Sequence, residues 1–179
     1  RTLLPANHAP LTLDRLAQEH PGLYAVTDTL GPAMTFPCIG VPCDRDPKTT
    51  SFDVPAIPAD RIAAVLFTSG STGEPLPTAK TWESLVISAR SEAAALELDR
   101  LPRLAILGTV PPQHSYGFES TVLMPLQSGF ALDAGRPFFP ADVCAALAAL
   151  PRPRMLVTTP VHLRALCASG EILPKADLV

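Results

Sequence analysis

From Ile62 onward, short apolar runs alternate with stretches of helical period, and no other feature limits the possible folds of this chain so strongly. Ile62 to Thr68 is a continuous apolar run, the pattern of a strand buried on both faces of a parallel sheet. From Trp82 the apolar positions 82, 85, 86, 89, 93 and 96 recur at three and four, which is the helical period. Thr81 stands before them as an N-cap, with Glu83 and Glu92 expected on the solvent side. Leu104 to Thr109 then reads as a strand, Phe118 to Gln127 as a helix and Phe130 to Leu132 as a short strand. Ala141 to Leu150 reads as a helix whose first turn suits Pro140 and Asp142, Met155 to Thr158 as a strand, and Val161 to Ala168 as a helix with Gly170 near its end. Repeated strand and helix steps predict an α/β fold, a mainly parallel sheet flanked by helices, with ligands at the carboxyl ends of the strands.

The first third of the chain is different. Leu11 to His20 suits a short helix ending before Pro21, and Leu23 to Thr27 a strand. Pro32 to Pro58 holds Pro37, Pro42, Pro47 and Pro55 with little periodicity, as an irregular or partly disordered connection would. The expected division is therefore 1–54, an irregular N-terminal segment with a short helix and strand, and 55–179, the βα-repeated part.

Composition narrows the partners. Charged residues are 17% of the chain and the net charge is −3, which gives no basic surface for nucleic acid or anionic membrane. There is no apolar run long enough for a membrane span. Cys38, Cys43, Cys144 and Cys167 and the four histidines show neither CxxC nor HxxxH spacing, so no metal ligands are assigned and the cysteines read as buried free thiols in a reducing, cytoplasmic setting. A first residue of Arg1 is read as the start of a piece of a longer chain.

After the strand ending at Phe67 comes Thr68-Ser-Gly-Ser-Thr-Gly-Glu-Pro75. Hydroxyls and exposed backbone N–H groups packed this densely after a strand suit an anion cradle, because glycine lets the backbone approach and turn closely. The alternative is a plain Ser/Gly turn. No Gly-Lys completes a Walker loop from Gly70, no GxGxxG occurs, and Ser69 stands where a GxSxG hydrolase elbow needs glycine.

Thr68 to Gly73 with Pro75 closely resemble the signature loop of the adenylate-forming superfamily, which includes acyl-CoA synthetases, luciferases and peptide-synthetase adenylation domains. The departure is Leu76, where that family usually has lysine. The resemblance implies that Thr68, Ser69, Gly70, Ser71, Thr72 and Gly73 hold the phosphates of ATP, with Mg2+ as the accompanying ion and Lys80 as a possible phosphate cation. A second stretch, Pro111-Pro-Gln-His-Ser-Tyr-Gly-Phe-Glu119, resembles the family segment that borders the acyl pocket. By that resemblance His114, Tyr116, Gly117 and Phe118 line the pocket.

Within the superfamily the wording is most similar to ligases beside fatty-acid or aryl-polyene biosynthesis proteins. The implied activity is ATP-dependent adenylation of a carboxylic acid and transfer of the acyl group to a thiol, on an acyl carrier protein or coenzyme A. The family's Tyr-Gly-x-Thr-Glu segment and mobile C-terminal domain are not in these 179 residues, so the chain reads as a partial N-terminal domain that adenylates poorly alone. Leu76 motivates a rival reading, a catalytically inactive binding or structural module of the same fold; a hydrolase using Ser69 or Ser71 is a third.

Overall fold

The computed structural model describes residues 2–5, 8–27, 34–41, 53, 55–68 and 76–179. The chain divides into two compact units, Arg1–Ala6 with Ile57–Val179, and Asn7–Ala56.

In the smaller unit, helix α1 spans Pro10–Glu19, with proline in its first turn where the missing N–H costs nothing. Leu16 is its buried residue. Strand β2 (Ala25–Thr27) pairs in parallel with β3 (Cys38–Gly40), and Thr35 Oγ1 donates to Asp14 Oδ1 on α1 at 2.6 Å. β3 lies within the proline-rich connection, where three residues are too few to register a period.

The larger unit begins with β1 (Thr2–Leu4), which runs parallel to β4 (Ile62–Thr68). On its other side β4 meets β5 (Leu76–Thr81) in antiparallel register, with Thr68 opposite Leu76 and Ala64 opposite Lys80. β5 is absent from the sequence reading, which assigned no element between Thr68 and Trp82. Among the described strands β5 pairs with β4 alone, and Pro77 is tolerated there because an edge strand can lack a ladder donor.

Helix α2 (Trp82–Ala95) starts where expected: Thr81 Oγ1 accepts from the Ser84 N–H at 3.2 Å, and the Ser84 hydroxyl donates back to the Thr81 carbonyl. Glu83 is exposed, but Glu92 is not on the solvent side. It is half-buried, because Ser120 Oγ donates to its carboxylate at 2.6 Å from a neighbouring helix.

Strand β6 (Ala105–Gly108) lies between β7 (Ala131–Leu132) and β8 (Arg154–Val157), all parallel. A helix over 115–128 joins β6 to β7. It comprises α3 (Ser115–Gly117), a π-helical stretch (Phe118–Leu123) and α4 (Met124–Ser128). The wide turn falls just before Pro125, whose ring would collide with the carbonyl four residues back in a regular helix. Thr121 Oγ1 donates to the Gly117 carbonyl at 2.6 Å within the same stretch. Helices α5 (Pro140–Ala149) and α6 (Pro160–Ala168) follow β7 and β8.

The two sheet faces bury different cores, as strand alternation requires. Leu104, Ile106, Met155 and Val157 pack with Leu85 and Ala89 of α2, Leu123 and Met124 of the 115–128 helix, and Ala64 of β4. Leu107 and Leu156 face the other way, against Val143, Cys144 and Leu147 of α5 and Leu166 of α6. Cys144 is the buried thiol; Cys38 and Cys167 are exposed, so burial was wrongly expected of those two, and Cys43 lies outside the described residues.

After α6 the chain returns along β8. Asp177 N–H donates to the Arg154 carbonyl, Leu156 N–H to the Leu178 carbonyl, and Leu178 bridges Met155 in parallel. Arg154 is buried and spends its guanidinium on backbone: Nε on the Lys175 carbonyl at 2.8 Å, Nη1 on the Leu150 and Ala148 carbonyls at 3.0 and 3.2 Å. Beside it, Arg152 grips both oxygens of Asp177. The Arg152 hydrogen bonds, and then the Arg154 N–H, hold the Asp177 carboxyl down from 3.8 to about 2. A depressed carboxylate stabilises the fold above its unfolded value and loses that contribution as pH falls through the folded one. Urea melts of native protein and Asp177→Asn should therefore differ near neutrality and converge as pH falls from 3.8 toward about 2. A gap that stays constant across that window would show that the ion pair contributes nothing.

Candidate functional site

The strand order β7-β6-β8 places the first strand of this sheet between the second and the third. The chain leaves β6 for β7 on the face of the 115–128 helix and returns past β6 to β8 on the face of α5. In open α/β sheets such a reversal marks the ligand-binding crevice at the carboxyl ends of the strands, here those of β6 and β8. Thr109 and Thr158 each follow directly on one of those strands, and their hydroxyl oxygens are 2.8 Å apart. His162, in the first turn of α6, puts Nδ1 3.0 Å from Thr109 Oγ1, and its ring meets Phe138 edge-on with centroids 5.6 Å apart. Thr159 caps α6 by accepting from the His162 N–H, which fixes where that ring begins.

Tyr116 joins the same crevice from the other side, its hydroxyl donating to the Thr158 carbonyl at 3.3 Å while half of the side chain stays exposed. Partial burial, and secondarily the Glu92 carboxylate, push its phenol above the usual 10.0, so it remains a neutral donor. Phe138 and Phe139 are about two-thirds exposed at 67% and 66%, and give this end of the sheet an apolar rim. The crevice can thus present one phenol, two hydroxyls and an imidazole beside aromatic surface.

The other residues of the second stretch take separate places. His114 is exposed at the N-cap of α3, where its carbonyl accepts from the Phe118 N–H at 2.7 Å. Gly117 is buried against the Pro111 carbonyl. Phe118 is half-buried and packs on the core around Leu85 and Ile106. The crevice residues Thr109, Thr158 and His162 are not among the site residues expected from sequence. A signal was available, since both threonines end apolar strand runs.

Thr68 closes β4, and Ser69, Gly70, Ser71, Thr72 and Gly73 lie outside the described residues. What is described is the frame: Thr68 and Leu76 are register partners at one end of the β4–β5 pair. Lys80 sits at the other end of β5, opposite Ala64, four residues from Leu76 and thus ~13 Å along the strand at about 3.3 Å per residue. Its ammonium lies 3.6 Å from Glu119 Oε1. Among the described residues no group of three or more His, Cys, Asp or Glu side chains could hold a metal, so no residue is assigned to Mg2+. No helix of the described residues is long and apolar enough to cross a membrane.

Comparisons agree with this architecture. The family model described as AMP-binding enzyme matches residues 7–178. The 4-coumarate--CoA ligase of Rhodobacter capsulatus is 36% identical over 124 residues, covering 69% of this chain and 31% of that protein. An o-succinylbenzoate CoA synthetase of Bacillus subtilis, a double mutant bound to a product analogue, superposes with a TM-score of 0.67 over 97% of this chain and 41% of its own, at 19% identity. ATP-bound MatB of Rhodopseudomonas palustris superposes with a TM-score of 0.54 over 67% of this chain and 23% of its own, at 20% identity. These likenesses show the fold of adenylate-forming enzymes, and the chain spans about a third of the length of the curated ligase it matches. With nearly its whole length matched, this chain belongs to the AMP-binding enzyme family.

Proposed function

We propose that the complete protein containing this chain is an ATP-dependent acid–thiol ligase, which joins a carboxylic acid to AMP and then passes the acyl group to a thiol. The observation that carries the reading is the gathering of Tyr116, Thr109, Thr158 and His162 at the β6/β8 reversal. The acid would enter there, with its acyl or aryl group against Phe138 and Phe139, while His114, Gly117 and Phe118 shape the segment that borders it. Thr68 to Gly73 would hold the ATP phosphates through backbone N–H groups and hydroxyls, stabilising charge that builds up as the carboxylate attacks. Mg2+ would neutralise the phosphates when bound. The thiol acceptor is coenzyme A or an acyl carrier protein; the named ligase relative supports the former, and the likeness to ligases of fatty-acid or aryl-polyene clusters the latter. The setting proposed is cytoplasmic.

The test is pyrophosphate exchange by the complete protein over a panel of aliphatic and aryl acids. Exchange with at least one acid is expected, falling about a hundredfold when Ser71→Ala and Thr72→Ala remove two charge-stabilising hydroxyls, a loss in the range seen for single oxyanion donors. Absence of exchange with every acid would sink the reading. A second reading, an inactive module of the same fold, is favoured by one observation: Leu76, 61% exposed at the start of β5, stands where the signature loop it resembles usually has lysine. Calorimetry showing no ATP binding to the complete protein would select it.

A further inference from the structure

Glu119 is an acid inside an otherwise apolar and hydroxylic helical stretch, and both of its carboxylate oxygens are engaged. Oε1 receives the Ser115 hydroxyl at 3.2 Å and faces the Lys80 ammonium at 3.6 Å, while Oε2 receives the Ser88 hydroxyl of α2 at 2.7 Å. The Lys80 and Glu119 side chains are 33% and 20% exposed, so solvent screens this pair less than a surface one. One residue further on, Ser120 donates to Glu92, a second polar tie between α2 and the same helix. We infer that Lys80 acts through Glu119 as a positioning residue for the acid crevice, holding the helical turn that presents Tyr116.

The geometry runs in one direction. β5 fixes Lys80, Lys80 and Ser88 fix Glu119, and Glu119 holds Ser115, four residues back on the helix. Tyr116 is next to Ser115, and its hydroxyl reaches the Thr158 carbonyl at the crevice. Along β5, Lys80 also lies toward the end away from Thr68, because its register partner is Ala64. Its charge is therefore engaged by the carboxylate that orders the acid side of the site.

The inference rests on the ligase reading, and the experiment separates the two. Lys80→Met, Glu119→Gln, their double variant and Lys80→Arg are made in the complete protein. With an acid that supports exchange, Lys80→Met and Glu119→Gln should each raise KM for the acid about tenfold and leave KM for ATP within about twofold; the double variant should be no worse than the worse single one, the coupling expected of contacting residues. Lys80→Arg, which keeps the charge, should recover most of the loss. A raised KM for ATP in Lys80→Met with Glu119→Gln unchanged would overturn the inference in favour of a phosphate role, and additive losses would overturn it by removing the coupling. Amide hydrogen exchange of residues 115–118 is read on the same proteins without substrate, and should quicken about tenfold in both single variants. Unchanged exchange there refutes the clamp even if no acid is ever adenylated, whereas a wild-type protein inactive on every acid, with quickened exchange in the variants, refutes only the ligase reading.

Discussion

Gly117→Ala should destabilise the protein by about 3 kcal/mol or more, the upper range for forcing extra volume into a packed site. A methyl at this position would lie 2.1 Å from the Pro111 carbonyl oxygen, 2.8 Å from its carbon and 3.3 Å from Pro112 Cα. All three are backbone atoms, so no rotamer change relieves the contact. The Pro111 carbonyl also accepts from the His114 N–H at 3.1 Å, and moving it would break the turn that leads into α3. The need for glycine here is one of space: φ at Gly117 is −61°, ordinary helix. Urea unfolding gives the measurement, with Gly40→Ala as the control, since nothing lies within 4 Å of a methyl there. A Gly117→Ala midpoint equal to the control's would show that the Pro111 turn can yield.

Arg154→Met should cost about 3 kcal/mol, because three backbone acceptors lose a charged donor and charge-assisted bonds are the stronger class. Ala148 and Leu150 carbonyls lie at the end of α5, where the helix leaves acceptors unpaired and favours a cation. The third, on Lys175, ties the returning chain to β8. Arg154→Lys should recover little, since an ammonium cannot span acceptors on two segments as a planar guanidinium does. Thermal melts of both variants decide it; a lysine variant as stable as the native protein would show that charge alone suffices. The arginine is buried in a strand that otherwise reads Met-Leu-Val, which makes it the polar exception in that strand.

Most elements from Trp82 onward were legible because their apolar spacing is regular and each is long enough to show a period. The cap at Thr81 was legible too, from residue type and position. β5 was not, because Leu76–Thr81 is an edge strand with four exposed residues and a proline, and burial leaves little pattern on it. Glu92 was misplaced because periodicity describes one helix, while a second helix supplied Ser120 to bury it. In the site, Tyr116 was named from its stretch, but Thr109 meets Thr158 and His162 only because β6 pairs with β8.

The α/β class, the strand and helix alternation and the family likeness were determined by sequence, because they depend on local spacing and on short runs of residue types. The tertiary structure alone decided strand order, and so the crevice between β6 and β8, since order follows from which helix covers which sheet face. It also decided the company of Lys80: sequence places that residue four positions past Leu76, near the serine–glycine stretch. Antiparallel pairing of β5 carries it back along β4 to Ala64 and onto Glu119.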